Sequence, residues 1–93
     1  MKNLTKIQVE EKVDVLENTE ESKKIIVYND DYNTFEHVIS CFVAYCEHSW
    51  EQAEQCAVII HSKGKCSVKE GNYDKLKPIR EALCEAGIDS KIE

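Results

Sequence analysis

Ninety-three residues suffice for one small domain with a single core, and 18 acidic against 12 basic residues give a net charge of −6. Such a chain offers no basic surface for nucleic-acid phosphates, and no run approaches the ~20 apolar residues of a membrane span. The N-terminus lacks an apolar signal core, so a cytoplasmic protein is expected. The five cysteines, at 41, 46, 56, 66 and 84, form no CxxC pair. An odd count without a signal core speaks against disulfides. Structural zinc sites are commonly built on CxxC pairs, which Cys41, Cys46, His48, Cys56, His61 and Cys66 do not provide. No metal or cofactor is expected.

Residues 1–24 hold one apolar patch (Val13, Val15, Leu16) among Glu10, Glu11, Asp14, Glu17, Glu20 and Glu21. This stretch cannot bury enough surface to order itself, and it reads as a mobile N-terminal extension to a domain at 25–93. Lys24–Tyr28 is a short β-branched run closed by a polar turn, the signature of a first strand. Thr34 can cap the next element. Phe35, Val38, Ile39, Phe42 and Val43 then follow helical spacing, which predicts a helix over 35–46. Ser49 and Gln52 are spaced as in a capping box, and Trp50, Ala53, Cys56, Ala57 and Ile60 predict the buried stripe of a second helix over 50–63, stopped by Gly64.

Cys66–Lys69 reads as a second strand. Asn72 can cap a third helix with Leu76, Ile79, Leu83 and Ala86 on its apolar face and Gly87 at its end. Pro78 removes a backbone donor, so this helix is expected to kink or restart there. Ile88–Ile92 alternates apolar and polar as a half-buried strand does. The order β-α-α-β-α-β predicts an α+β fold: a two-layer sandwich of a small three-stranded antiparallel sheet and three helices, preceded by the disordered tail.

Catalysis is hard to assemble from these residues. No segment marks one cysteine as an activated nucleophile, three glycines make no phosphate loop, and no calcium loop is present. Binding is the better class, and an enzyme is not expected. The seam Asn29-Asp30-Asp31 between strand and helix serves as a turn, since Asn and Asp bond their own backbone. The stretch "NDDYNTFEHVI", followed by "AEQCAVIIHSKGKC", nevertheless resembles the Clp protease adaptor family (ClpS). The acidic seam, the helix pair, His61 and Gly64-Lys65 occur in the family's order, and the resemblance spans residues 24–93.

The resemblance implies an α+β adaptor that recognises N-degrons and delivers their bearers to a Clp-type AAA+ unfoldase and protease. It implies that Asn29, Asp31 and His61 hold the substrate's α-amino group. An ammonium carries three N–H donors, and an amide carbonyl, a carboxylate and an imidazole nitrogen are three acceptors. Val27, Asn33, Phe35, Val38, Ala57, Ile60 and Ile88 are implied to line a pocket for a bulky apolar N-terminal side chain: Phe, Leu, Tyr or Trp. Thr34 stands where the family commonly has Pro, and Phe35 and Ala57 where it commonly has Met. Asp74 falls where relatives touch the N-domain of a ClpA- or ClpC-type unfoldase. A monomer is expected, with neither nucleic acid nor membrane as partner. The competing expectation is an interaction domain of similar fold, such as the C-terminal domain of the ribosomal stalk protein, which needs no amine-binding triad.

If the acidic extension engages the unfoldase pore, deleting residues 1–20 should leave peptide binding intact and abolish delivery. Degradation of a reporter with an N-terminal Phe measures this; delivery at the full-length rate would overturn the role of the extension.

Overall fold

The computed structural model describes residues 21–93. Most of the expected N-terminal extension therefore lies outside the described residues. Six elements follow in chain order: β1 (Lys23–Tyr28), α1 (Phe35–Cys46), α2 (Trp50–Lys63), β2 (Lys65–Gly71), α3 (Tyr73–Glu85) and β3 (Ser90–Ile92). They form the expected β-α-α-β-α-β sandwich. The sheet is antiparallel with spatial order β2-β1-β3.

The most β-branched run occupies the central position. β1 is paired along both edges, so its backbone groups have partners on each side. Its alternation puts Ile25 and Val27 on the buried face, while Lys24 stays exposed. In the pairing with β2, Ile25 faces Lys69 but Ile26 faces Ser67. Val68 is thus an extra residue in β2, and this local bulge turns its side chain into the core.

Each helix begins at a side-chain cap. Thr34 Oγ1 accepts from the His37 amide at 3.0 Å, Ser49 Oγ from Gln52 at 3.1 Å and Asn72 Oδ1 from Lys75 at 2.8 Å. Gly64, at φ +96°, closes α2, and Gly87, at φ +88°, follows the end of α3. Both sit where a side chain would strain the backbone.

Phe42 of α1 and Leu76 and Leu83 of α3 are completely buried in one cluster with Ala53, Ala57 and Ile60 of α2 and with Ile25, Val27 and Ile88, and this cluster holds the three helices to one face of the sheet. Burial of each such side chain contributes about 1.5–3 kcal/mol.

The structure corrects several sequence expectations. β1 begins at Lys23, ahead of the expected boundary, and β2 runs three residues longer than Cys66–Lys69, starting at Lys65 and ending at Gly71. Trp50 is 54% exposed, so the first turn of α2 extends past the core and the buried stripe is Ala53, Ala57 and Ile60. In α1 the buried residues are Ile39, Cys41, Phe42 and Cys46, while Phe35 and Val43 remain exposed.

Pro78 does not divide α3, which is one helix from Tyr73 to Glu85. Leu76 before it and Leu83 after it are both fully buried, and this shared anchorage keeps the helix continuous across the missing N–H. The proline still leaves the Asp74 carbonyl without its helical donor. Pro78→Ala should therefore stabilise the domain by about 1–3 kcal/mol, since Pro is about 3 kcal/mol worse than Ala inside a helix and recovers a part through the unfolded chain. Urea denaturation at neutral pH measures it; an unchanged or lower midpoint would show that α3 loses nothing at this residue.

Candidate functional site

Because β1 is central, the chain leaves it between two neighbouring loops. The Tyr28 amide donates to the Asp89 carbonyl at 3.0 Å, on the side of the α3–β3 loop. The next amide, of Asn29, donates to the Gly64 carbonyl at 2.9 Å, at the C-terminus of α2. The seam is thereby fixed beside the last turn of α2, which carries His61, and beside the loop that carries Ile88.

Asp30 builds the turn itself. Its Oδ1 accepts from the amides of Tyr32 and Asn33, both at 2.9 Å, and its Oδ2 from Asn33 Nδ2 at 2.8 Å. Partial desolvation pushes this carboxyl's pKa up. The hydrogen bonds from Asn33 and Tyr32, with the nearby His37 charge, outweigh it and hold the pKa below the usual 3.8. Tyr32 itself is 94% exposed, so its ring adds nothing to the packing.

Val27, Tyr28, Asn29, Asp30, Asp31, Asn33, Phe35, Val38, Ala57, Ile60, His61 and Ile88 line one cavity of about 290 Å³. All ten residues singled out as the amine triad and side-chain pocket are among them. Its floor is apolar and buried: Val27 from the sheet, Ala57 and Ile60 from α2, and Ile88 from the α3–β3 loop. Its mouth is polar, since Asn29, Asp31 and His61 are all exposed. Among the described residues, none of these three side chains is engaged in a hydrogen bond, whereas both Asp30 oxygens accept and Asn33 Nδ2 donates twice. The cavity thus joins unspent polar groups to an apolar slot.

Sequence reasoning missed Tyr28 and Asp30 as lining residues. Tyr28 is the last residue of β1 and its hydroxyl donates to Glu93, a contact that raises its pKa. Asp74 lies elsewhere, in the first turn of α3 and exposed, at a shallow depression with Glu21, Lys23 and Tyr73.

The cysteines are all free. Burial pushes the Cys46 thiol up to about 11, and burial with the neighbouring Cys66 pushes Cys56 up to about 12. Both are thiols at neutral pH, unsuited to nucleophilic or redox work. Among the described residues no group of three or more His, Cys, Asp or Glu is placed to hold a metal ion, and no helix is long and apolar enough to cross a membrane.

The family model for "ATP-dependent Clp protease adaptor protein ClpS" matches residues 18–86. The chain belongs to the ClpS family. A ClpS adaptor from Thermosynechococcus vestitus is 34% identical over 70 residues, covering 70% of each chain. One from Nostoc sp. is 33% identical over 70 residues, covering 70% of this chain and 68% of its own. Among solved structures, Agrobacterium tumefaciens ClpS2 bound to L-phenylalaninamide superposes with a TM-score of 0.67 at 24% identity, covering 77% of this chain and 96% of that one. That likeness carries the fold. Membership makes the chain a Clp protease adaptor, from a family of non-catalytic adaptors that act with a Clp protease and its substrates.

Asp30→Ala should cost about 1 kcal/mol at neutral pH, since the lost hydrogen bonds are partly exposed. Because folding depresses this pKa, the unfolded chain takes up the proton first as pH falls. The contribution is complete above the ordinary 3.8 and is lost as pH drops through the lower folded value. Urea midpoints of wild type and variant should therefore converge on acidification below that range; a constant gap would contradict the carboxylate's role.

Proposed function

We propose that the cavity receives the first residue of a substrate chain: an N-degron whose α-ammonium meets Asn29, Asp31 and His61 and whose side chain enters the apolar slot. The observation that carries this is the convergence of three unengaged acceptor side chains with an apolar floor on one cavity. A carboxylate, an amide oxygen and an imidazole nitrogen match an ammonium's three donors, with the carboxylate bond charge-assisted and strongest. An acetylated terminus has lost the charge and two of the donors, and an internal residue never has them. The ligand in the Agrobacterium protein, L-phenylalaninamide, is a free α-amine beside a benzyl side chain, the combination this cavity suits.

Burying a Leu or Phe side chain contributes about 1.5–3 kcal/mol, and leaving a desolvated donor or acceptor unmade costs about 1–3 kcal/mol. The two terms are comparable, so the cavity demands both a free amine and a bulky apolar side chain: Phe, Leu, Tyr or Trp. Ala57 is a smaller residue in the buried wall where the family commonly carries Met, while Phe35 puts a larger group at the exposed rim. The two changes act in opposite directions on the volume of the slot.

Delivery completes the function. The domain docks on the N-domain of a ClpA- or ClpC-type AAA+ unfoldase, with Asp74 on the exposed start of α3 as a contact, and acts as a monomer in the cytoplasm.

Fluorescence anisotropy with peptides beginning Phe, Leu, Tyr, Trp and Ala, each free and acetylated, tests the site. Free Phe and Leu peptides should bind, their acetylated forms should not, and Asp31→Ala and His61→Ala should each weaken binding roughly tenfold or more. Equal affinity for free and acetylated peptides would overturn the proposal.

A further inference from the structure

The wall of the slot formed by Ile88 belongs to no regular element. It sits in the short connection between α3 and β3, where Gly87 adopts φ +88°. Within that connection the Gly87 amide donates to the Cys84 carbonyl at 3.0 Å and the Ile88 amide to the Leu83 carbonyl at 2.9 Å. These bonds return the chain to α3 but do not fix its distance from α1.

Two side chains from the other side of the cavity do. Asn33 Nδ2, already bonded to Asp30 Oδ2 at 2.8 Å, donates its second hydrogen to the Gly87 carbonyl at 2.9 Å. One turn into α1, His37 Nε2 lies 2.9 Å from the Ala86 carbonyl. A carbonyl only accepts, so His37 carries its proton on Nε2 and donates. The Cys41 Sγ, 3.6 Å from the same nitrogen, is a side contact to a proton already engaged. Successive carbonyls of one loop are thus gripped from successive turns of the seam and α1. A Cβ on Gly87 would lie an ordinary 3.8 Å from Asn33 Oδ1, so the glycine is required for its backbone angle and not for room.

We propose that Asn33 and His37 are positioning residues that clamp the Ala86–Gly87 carbonyls and so set how far Ile88 stands from Val38 and Ala57, which fixes the width of the side-chain slot. This rests on the proposed role of the cavity as an N-degron site. Asp30 is shared by both functions. It shapes the turn that presents Asn29 and Asp31, and it orients the Asn33 amide toward Gly87. The amine mouth and the side-chain wall are then linked through one carboxylate and one amide, whereas His37 acts on the wall alone. His37 does not line the cavity, so any effect it has on side-chain choice passes through the loop.

The test compares wild type, His37→Ala and His37→Gln, the last keeping an N–H donor near the same place. Asn33→Ala serves as a fourth protein. Anisotropy is read with free and acetylated peptides beginning Phe and Ala, and the ¹³C-methyl resonances of Ile88 are recorded without peptide. His37 is exposed, so its replacement should leave the fold intact. Expected for His37→Ala are displaced Ile88 methyls and a preference for Phe over Ala reduced roughly three- to tenfold, as for one lost hydrogen bond. Discrimination against acetylated peptides should persist, and His37→Gln should restore both properties. Asn33→Ala should reduce the Phe preference as well.

An unchanged Phe-over-Ala ratio in His37→Ala, or an equal loss for both peptides, would overturn the clamp. Failure of the wild type to separate free from acetylated peptides would instead overturn the cavity's assignment and the specificity role with it. The Ile88 methyls then tell the two apart, since their displacement in His37→Ala and return in His37→Gln needs no ligand.

Discussion

Everything at the site depends on where the central strand ends. β1 is hydrogen-bonded on both edges up to Tyr28, so the chain can only emerge between β2 and β3. Two consecutive amides then donate in opposite directions, Tyr28 to Asp89 and Asn29 to Gly64. This alternation is the ordinary hydrogen-bonding rhythm of a strand, carried one residue past the end of β1. Its consequence is positional. The C-terminus of α2 is drawn to one side of the seam and the α3–β3 loop to the other, and the cavity is the space they leave. Gly64 has two parts in this, since its φ of +96° ends α2 and its carbonyl receives Asn29.

The division between polar mouth and apolar floor follows from the same geometry. Val27 is buried in the strand, and two residues later Asn29 is exposed, because the helical layer stops there. α2 repeats the pattern at its own period, with Ala57 and Ile60 facing the core and His61 one residue further around the helix and exposed. Two elements of different periodicity thus change from apolar to polar at the same height. An apolar slot capped by unengaged acceptors results without any residue departing from the burial rules that shape the rest of the domain. The convergence of the two changes at one rim makes the site.

Much of this was legible in the sequence. All three helix caps, both terminating glycines and the order of the elements carry local signatures, and those signatures hold. The residues drawn together by the family resemblance also prove to share one cavity. What local signals could not supply were effects set by neighbours. Trp50 fits the helical stripe, yet periodicity says nothing about how far the covering layer reaches. Pro78 reads as a break, but Leu76 and Leu83 are anchored in one core and the helix bridges it. The part played by His37 has no sequence signal, because its partner is a backbone carbonyl 49 residues away. Tyr28 and Asp30 escaped as lining residues because a strand end and a turn former each had a sufficient structural role.

Under the proposed function, the fate of Asp30 accounts for two carboxylates in a row at the seam. Three N–H groups already occupy Asp30, and they hold its proton affinity down. A carboxylate so employed has little acceptor capacity left for a ligand, and drawing it toward one would undo the turn that presents its neighbours. Asp31 has no such employment among the described residues and is exposed at the mouth. One acidic residue is therefore consumed in shaping the loop so that the other can be held out from it. A single aspartate could not serve both ends, since the acceptor sites that close the turn are those an ammonium would require. Asn29 is subject to the same separation in another form: its backbone amide is committed to Gly64 while its side chain is left over. Across the seam, structure uses the Asp30 carboxylate and the Asn29 amide, and leaves the Asn29 and Asp31 side chains unengaged among the described residues.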